Sequence, residues 1–508
     1  MTNPLFDRLF GQHAESEAPF LRLADDAIVT HRDFLNRTAQ FAHALTKQGL
    51  SAGDRLAAQV EKSPEALVLY AACVQTGVVF LPLNTAYTVD ELTYFIENSG
   101  AKTVVCDASR ADGLAPVATK LSARLETLNA DGSGTLTELA ADLPTSFPTV
   151  ERSKDDLAAF LYTSGTTGRS KGAMLTQDNL LSNALTLAEY WRFTASDVLL
   201  HALPIFHTHG LFVATNITLA AGGSMIFLPK FDLDEMLRQL PKATAMMGVP
   251  TFYTRLLGDE RFNRDLVSHM RLFVSGSAPL LAETHLRFEE RTGHRILERY
   301  GMTETNMNTS NPYDGERRAG TVGFPLPGVE LKITDPATGA NLEQGEVGQI
   351  EVRGPNVFKG YWQMPEKTAA ELREDGFFIT GDLGRIDEDG YVHIVGRNKD
   401  LIISGGYNIY PKEIEQVLDA QPGVLESAVI GLPHEDFGES VMGLIVAKPG
   451  EQPDIEEISG NVRKVLARFK HPRVISIIDE LPRNTMGKVQ KNVLRERFAE
   501  FRDQSVKS

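Results

Sequence analysis

The sequence predicts an α/β protein: a large N-terminal domain of mixed parallel sheets with helices plus a small β region, then a small α+β C-terminal domain. Three observations lead to this prediction. The chain has 508 residues, which is too long for one hydrophobic core. Apolar strands and amphipathic helices alternate through most of it, a pattern typical of parallel sheets covered by helices. After about residue 320, short alternating segments between glycines replace that pattern.

Helix signals are clear in the first 150 residues. Ser63 is a candidate N-cap, Pro64 suits a first helical position, and Gly77 ends the segment. Thr88 and Glu91 have the spacing of a capping box. Short apolar segments, "VVFLPL" and "TVVCD", follow these helices as buried strands. The alternation resumes after residue 155, where "LAAFLYT" is predicted to form a buried strand.

The C-terminal part has a different character. "GQIEVRG" and "GYVHIVG" alternate apolar and polar residues, which predicts a small antiparallel β region. From about residue 400 a separate unit is predicted. It holds a helix with Pro411 in its first turn, a helix near 455–468 and a terminal helix from about 491, together with the strands "SAVIGLP", "SVMGLIVAKP" and "RVISIID". We therefore assign residues 1–398 to the large domain and 399–508 to the small one.

Composition limits the possible functions. The net charge is 51 − 67 = −16, and no basic stretch stands out, so nucleic acid is an unsuitable partner. Only Cys73 and Cys106 occur, without metal-ligand spacing, which suits a reducing compartment. No run of 18 apolar residues and no N-terminal signal pattern is found, so we expect a cytoplasmic protein without a membrane partner.

The segment "YTSGTTGRSKG", residues 162–172, has a composition suited to phosphate. It holds three glycines, five serine or threonine hydroxyls and Lys171. Glycines let phosphate oxygens approach backbone N–H groups, and hydroxyls and a lysine add donors and charge. It is not a Walker A motif, because Gly172 follows Lys171. From composition alone, a flexible surface loop stays open as the alternative.

Seven segments in order resemble the motifs of the adenylate-forming superfamily, which contains acyl-CoA synthetases, firefly luciferase and the adenylation domains of peptide synthetases. They are "YTSGTTGRSKGAMLT", "LPIFHTHG", "SGSAPL", "YGMTE", "TGD", "GRNKDLIISGGYNI" and "NTMGKVQK". The resemblance implies a reaction in two halves. A carboxylate attacks the α-phosphorus of ATP with loss of pyrophosphate, and the acyl-adenylate then passes its acyl group to coenzyme A.

The resemblance also implies which residues bind ATP. Tyr300 would lie against adenine, Thr303 would donate to the α-phosphate, and Glu304 would bind Mg²⁺. The alternatives without a ligand are an aromatic side chain packed in the core for Tyr300 and a solvated surface charge for Glu304. Asp382 would accept from the ribose hydroxyls with Arg397 nearby, although "TGD" also suits a plain turn. The remaining nucleotide-binding candidates are Thr163, Ser164, Gly165, Thr166, Thr167, Gly168, Lys171, Ser277, Ala278 and Pro279.

Lys488, in "NTMGK", matches the lysine that in this family reaches the attacking carboxylate and the α-phosphate. The resemblance implies that the small domain rotates about Lys399 between the two half-reactions. Gly405 and Gly406 would then let the pantetheine arm of coenzyme A pass. Lys488 also resembles a site of acetylation, so an acetyltransferase and a deacetylase are expected partners. Acetylation would remove its charge.

Two arginines indicate which carboxylic acid the protein would activate. Arg299 precedes the "YGMTE" motif, where many relatives carry a small residue, and Arg255 lies in a helix that helps to form the acyl pocket of the family. Buried cations suit a second carboxylate, as in malonyl-CoA synthetases, which often accept methylmalonate. His207 and Met302 are further pocket candidates, with His209 expected behind them. Alternatively, either arginine pairs with a neighbouring acid such as Glu298.

Other functions stay open at this point. They are a ligase for another short, medium-chain or aromatic acid, an adenylation enzyme that loads a carrier protein, and a nucleotide-sensing protein without catalysis.

Overall fold

The computed structural model describes residues 2–163, 170–404, 407–434, 438–484 and 487–499. It divides into two compact units. The first comprises Met1–Leu331 and Val352–Phe378, and the second comprises Lys332–Glu351 and Ile379–Ser508. The mixed α/β class is confirmed. This grouping places residues 379–398 with the C-terminal part, and the proposed boundary at residue 398 stays a prediction.

Two sheets form the first unit. Their strands are β1 (Pro19–Arg22), β2 (Ile28–Thr30), β3 (Arg55–Gln59), β4 (Val79–Pro82), β5 (Thr103–Cys106), β6 (Arg124–Thr127), β7 (Leu157–Thr163), β8 (Lys171–Thr176), β9 (Val198–His201), β10 (Ser224–Phe227), β11 (Ala245–Gly248), β12 (Leu272–Ser275), β13 (Leu297–Met302), β14 (Asn306–Ser310) and β15 (Phe324–Pro325). Within the described ranges, one sheet has the order β6-β5-β3-β4-β7-β8 and the other β15-β14-β13-β12-β11-β9-β10-β1-β2. Their central strands are parallel, as the alternation predicted.

Helices cover these sheets. They are α1 (Pro4–Leu9), α2 (His31–Lys47), α3 (Pro64–Thr76), α4 (Val89–Ser99), α5 (Ala108–Lys120), α6 (Thr135–Ala140), α7 (Gln177–Tyr190), α8 (Asn216–Ala221), α9 (Leu233–Gln239), α10 (Pro250–Leu257), α11 (Arg264–Val267), α12 (Ala282–Thr292) and α13 (Pro365–Glu371). The predicted capping is confirmed: Ser63 caps α3, and Thr88 with Glu91 forms a complete capping box on α4. Within the described ranges, no helix has the length and apolarity needed to cross a bilayer.

The register of the larger sheet brings three strand ends into one row. His201 at the end of β9 pairs with Met247 in β11, and the next residue of β11 pairs with Ser275 at the end of β12. Ser275 in turn pairs with Glu298 in β13. Because the carboxyl ends of parallel strands share one edge, the segments that follow these strands lie side by side. The motif "LPIFHTHG" follows β9, "SGSAPL" begins at the last residue of β12, and "YGMTE" covers the end of β13 and the turn after it.

The second unit contains most of a four-stranded sheet and a second sheet with three helices. Its elements are β16 (Glu330–Thr334), β17 (Gly348–Arg353), β18 (Phe378–Ile386), β19 (Val392–Arg397), β20 (Ile402–Ser404), β21 (Tyr407–Ile409), α14 (Pro411–Asp419), β22 (Val424–His434), β23 (Gly438–Ala447), α15 (Ile455–Val465), β24 (Val474–Ile477) and α16 (Lys491–Arg497). The antiparallel β18–β19 pair confirms the small β region, and the C-terminal helices and strands are where the sequence predicts them.

Candidate active site

Arg299 is a buried charge in the first unit. Its side chain projects from β13 into the interior, and the residue is only 5% exposed. Its Nε and Nη2 atoms have no hydrogen-bond partner among the residues that the structure describes. Burial lowers the pKa of Arg299 to about 9, so the guanidinium stays charged at neutral pH. A buried cation without a partner is costly, which makes this position suited to an anionic ligand.

Glu298 does not serve as the partner of Arg299. Its carboxylate lies 3.3 Å from Nδ1 of His285 and accepts from the backbone N–H of Gly320 at 3.2 Å. Consecutive residues of a strand point to opposite faces, so Glu298 and Arg299 are directed apart. The pairing that the sequence left open is therefore not what the structure contains.

Gly276 provides the space for the guanidinium. A Cβ atom at this position would lie 2.3 Å from Cζ and 2.5 Å from Nε of Arg299, far inside van der Waals contact. Even alanine would therefore displace the arginine. Sequence analysis did not single out Gly276, because a glycine after a strand also suits an ordinary turn.

Ser277 and His209 form the adjoining part of the site. Ser277 has φ +71°, a left-handed conformation that is strained for a serine and that often marks functional sites. Its Oγ lies 3.1 Å from Nδ1 of His209, whose ring is buried. Burial, and then the charge of Arg299, hold the pKa of His209 well below its usual range. His209 is therefore neutral, and it contacts the predicted nucleotide-binding segment directly.

Three unpartnered polar groups thus surround Gly276. They are Nε and Nη2 of the Arg299 guanidinium, Nε2 of His209 and Oγ of Ser275, each without a hydrogen-bond partner inside the described ranges. Buried polar atoms are almost always satisfied in folded proteins, so a cluster of exceptions indicates a polar ligand. The arrangement can bind a carboxylate or a similar small anion.

Arg255 is not brought into this cluster. It lies exposed on α10, with its Cζ atom 5.5 Å from the ring centroid of Phe231. Tyr253, two residues earlier, points inward and donates to the carbonyl of Val274 at 2.6 Å. Residues two apart on a helix are about 200° apart around its axis, so Arg255 faces away from Tyr253. Its predicted role in acid binding stays a prediction.

The other pocket candidates lie close to this cluster in sequence. His207 is half-buried and its ring centroid lies 5.0 Å from that of Phe206. Met302 is half-buried at the end of β13, and Ala278 and Pro279 continue the segment after Ser277. Their contacts with a ligand stay predictions.

A network of acids and donors surrounds Glu304. Its buried carboxylate accepts from Thr163 Oγ1 at 3.4 Å and from the hydroxyl of Tyr361 at 3.0 Å. Tyr361 lies 2.7 Å from Glu371, and Lys171 lies 3.3 Å from that same carboxylate. Burial raises the pKa of Glu304. The structure therefore links the predicted metal ligand to both ends of the predicted phosphate segment.

Thr163 and Lys171 mark those two ends. Thr163 ends β7, Lys171 begins β8, and they face each other across the antiparallel pair. Five predicted phosphate-binding residues lie outside the described residues: Ser164, Gly165, Thr166, Thr167 and Gly168. Gly405 and Gly406 also lie outside them. On β13, Tyr300 is half-buried, and Thr303 lies in the turn that leads to β14.

Asp382 and Arg397 are brought together in the second unit. They face each other across β18 and β19, and Nε of Arg397 lies 3.1 Å from Oδ1 of Asp382. The backbone N–H of Asp382 donates to Oγ1 of Thr380, and its carbonyl accepts from Gln349. The buried carboxylate is thus held in a fixed orientation, as a ribose ligand would require.

Lys488 lies exposed in a tight turn of the second unit. Gly487 has φ +75°, and Asn484 accepts from the N–H of Lys488 through its side chain at 2.9 Å. This geometry directs the lysine outward, as the glycine before it suggested. Lys399 lies in a short 3₁₀ turn, where burial, and then the charge of Arg397, lower its pKa. Its hinge role stays a prediction.

Comparisons with known proteins show the family of this chain. A family model described as AMP-binding enzyme matches residues 8–362, and a model of the AMP-binding enzyme C-terminal domain matches residues 413–488. The chain belongs to the AMP-binding enzyme family. It is an adenylate-forming enzyme, as the seven motifs indicated.

Three relatives illustrate the range of acids within the family. A malonate–CoA ligase of Arabidopsis thaliana is 38% identical over 453 residues, covering 83% of this chain and 74% of the relative. A feruloyl-CoA synthase of Amycolatopsis is 35% identical over 474 residues, covering 92% and 94%. The ATP-bound crystal structure of MatB from Rhodopseudomonas palustris is 59% identical, covers 99% of this chain and 100% of that one, and has a TM-score of 0.97. Family membership alone therefore does not identify the acid.

Sequence reasoning missed several residues that the structure places at the site. Tyr361 and Glu371 belong to none of the seven motifs, and the fold brings Tyr361 to Glu304 and Glu371 to Tyr361. Ser275 and Gly276 belong to a recognised motif, and their relation to Arg299 depends on side-chain packing.

The Tyr361 network generates one prediction. Tyr361→Phe should lower acid-dependent ATP–pyrophosphate exchange about tenfold, because the two carboxylates lose the hydroxyl that joins them. Tyr70→Phe is the matched control, since it removes a buried hydroxyl that lies 3.3 Å from Asn216, outside this network. Equal exchange rates for the wild type and Tyr361→Phe would show that the network does not hold Glu304.

Proposed function

We propose that this protein is an ATP-dependent malonate–CoA ligase. It converts malonate, ATP and coenzyme A into malonyl-CoA, AMP and pyrophosphate through a malonyl-adenylate. The observation that carries this proposal is the buried guanidinium of Arg299, in which two nitrogen atoms, Nε and Nη2, have no hydrogen-bond partner in the described part of the chain. The matches to an AMP-binding enzyme and to a malonate–CoA ligase supply the reaction class.

Malonate fits this site because it carries two carboxylates on one carbon. One must be free to attack ATP, and the other needs a cation that stays charged at neutral pH. A guanidinium binds a carboxylate through paired N–H donors, and both Nε and Nη2 of Arg299 are available for this. A monocarboxylic acid would leave the cation unpaired, and a site of that kind can discriminate by about 10⁴–10⁵. A fatty or aromatic acid is disfavoured for the same reason.

Methylmalonate is a second proposed substrate. It keeps both carboxylates and adds one methyl group, which a pocket of this kind distinguishes by only ~1–3 kcal/mol. We therefore expect the enzyme to turn over both acids. The size of the pocket near Met302 would determine how strongly malonate is preferred to methylmalonate.

In the first half-reaction, side chains of this protein would position the reacting groups and neutralise the charge that develops on them. The phosphate segment between Thr163 and Lys171 would hold the β- and γ-phosphates, and Thr303 would donate to the α-phosphate. Lys488 would neutralise charge that develops between the attacking carboxylate and the α-phosphate. Asp382 would accept from the ribose hydroxyls, with Arg397 setting its orientation at 3.1 Å.

Mg²⁺ fits the Glu304 network. This ion binds one or two carboxylates together with phosphate oxygens, and it needs no larger cluster of protein ligands. No group of three His, Cys, Asp or Glu side chains in the described ranges forms a metal site. Glu304 would hold the ion, which supplies charge neutralisation to the phosphates when bound. Tyr361 and Thr163 keep that carboxylate oriented.

In the second half-reaction the thiol of coenzyme A displaces AMP. We propose that the C-terminal part rotates about Lys399, which removes Lys488 from the site and brings Gly405 and Gly406 to the pantetheine arm.

The two described cysteines are free and buried, which supports a reducing, cytoplasmic location. The exposed Lys488 turn is also accessible to an acetyltransferase and a deacetylase as partners.

Substitution of Arg299 is the principal test of which acid is the substrate. Arg299→Met should lower kcat/KM for malonate about 100-fold or more, because the distal carboxylate loses its partner. AMP release with coenzyme A present is measured across short mono- and dicarboxylic acids. Arg287→Met is the control, since it removes an exposed arginine from the adjacent helix α12. A wild-type enzyme that prefers acetate or propionate to malonate would overturn the proposal.

A substitution at Lys488 distinguishes the two half-reactions experimentally. Lys488→Gln removes the charge, as acetylation would, and should lower malonate-dependent ATP–pyrophosphate exchange about 100-fold. Transfer of the malonyl group from preformed malonyl-adenylate to coenzyme A should stay near the wild-type rate. Lys464→Gln, on the exposed face of α15, is the control. Exchange at the full rate in Lys488→Gln would contradict the assigned role.

A further inference from the structure

Lys62 is a buried lysine without an acid partner in the described part of the chain. It follows β3 in sequence and precedes the N-cap of α3, and it is 8% exposed. Its Nζ lies 2.8 Å from the carbonyl oxygen of His201 and 2.9 Å from Nδ1 of the same residue. It also lies 4.3 Å from the ring centroid of Phe227. Lys62 therefore directs its polar contacts to a single residue, at the end of β9.

His201 has one tautomer that fits its contacts. Its Nε2 lies 2.9 Å from the carbonyl oxygen of Gly210, which can only accept, so the proton is on Nε2. Nδ1 is then an acceptor, and Lys62 donates to it. Burial, and then the charge of Lys62, hold the pKa of His201 well below its usual range, which keeps the ring neutral. Lys62 thus selects the tautomer that His201 needs to bind Gly210.

Gly210 is held from two sides. Its carbonyl accepts from His201 and from Oγ1 of Thr215, at 3.0 Å. A Cβ atom on Gly210 would lie 2.0 Å from the carbonyl oxygen of Pro204, so the backbone passes that carbonyl closely. Gly210 belongs to a π-helix, His209–Thr215, and such irregular turns are common at functional sites. Fixing Gly210 fixes the residue before it.

That preceding residue is His209, the ring that joins Ser277 at 3.1 Å beside Arg299. The contacts form a continuous series from Lys62 through His201 and Gly210 to His209. We infer that Lys62 and His201 are positioning residues for the acid pocket: they hold the π-helix so that His209 faces the carboxylate bound by Arg299. This inference rests on the proposed malonate specificity and adds two residues, neither of which touches the acid.

The test is the selectivity of Lys62→Met, which retains the side-chain volume and removes the donor. The ratio of kcat/KM for malonate to kcat/KM for propionate should fall roughly tenfold, because small misplacement of a binding group is costly. The change should appear in KM for malonate, with KM for ATP unaltered. The wild-type ratio is measured first: a wild type without preference for malonate defeats the proposed function, whereas unchanged selectivity in Lys62→Met defeats only this inference.

Tyr70→Phe is the matched control for a purely structural effect. It also removes a buried polar group of the first unit, since its hydroxyl lies 3.3 Å from Asn216 of α8. It should lower the thermal stability without changing selectivity. If Lys62→Met behaves in the same way, Lys62 only stabilises the fold and the inference is wrong.

A second pair of variants keeps the test decisive should Lys62→Met not fold. His201→Gln retains an N–H near the position of Nε2 and can still donate to Gly210, whereas His201→Leu cannot. The inference predicts that Gln preserves most of the malonate selectivity and that Leu loses it. Equal selectivity in the two variants overturns the inference.

Discussion

The proposed acid pocket depends on one constraint, a buried charged guanidinium whose Nε and Nη2 have no hydrogen-bond partner among the described residues. The pKa of Arg299, about 9, leaves it protonated at neutral pH, and burial prevents water from solvating it freely. Such a group raises the free energy of the empty site, and an anion of the correct size lowers it. In the proposed function, the same physical effect would give both affinity for a diacid and rejection of a monoacid. Selectivity therefore does not require close contacts along an acyl chain.

One strand and its following turn supply much of the site. Along β13, successive side chains alternate between faces, so Glu298 and Arg299 have separate environments although they are adjacent. Tyr300 comes next, and the turn after the strand carries Thr303 and Glu304. With the roles proposed for them, these residues would couple acid recognition to nucleotide binding, because they lie within a few positions of one another. The absence of a side chain at Gly276 leaves the space that the guanidinium of Arg299 occupies, and the next residue, Ser277, has a strained φ.

Much of the fold could be predicted from local signals, and less of the site. Two features depend on neighbouring residues and can therefore be predicted from a single sequence. They are the capping box of Thr88 and Glu91 and the alternation of strands and helices. The relation of Tyr361 to Glu304 depends on long-range packing, which periodicity does not encode. Arg299 and Arg255 looked equivalent in sequence, yet one is buried and the other exposed, because helix phase and sheet register decide which side chains face inward.

The most direct measurement is a crystal structure with a non-hydrolysable analogue of malonyl-adenylate. We expect the distal carboxylate to accept from both Nε and Nη2 of Arg299 at about 2.7–2.9 Å, the usual range for charge-assisted pairs. His209 and Ser275 should complete the site around Gly276. A bound analogue whose distal carboxylate lies elsewhere, with the guanidinium still unpaired beside Gly276, would contradict the account.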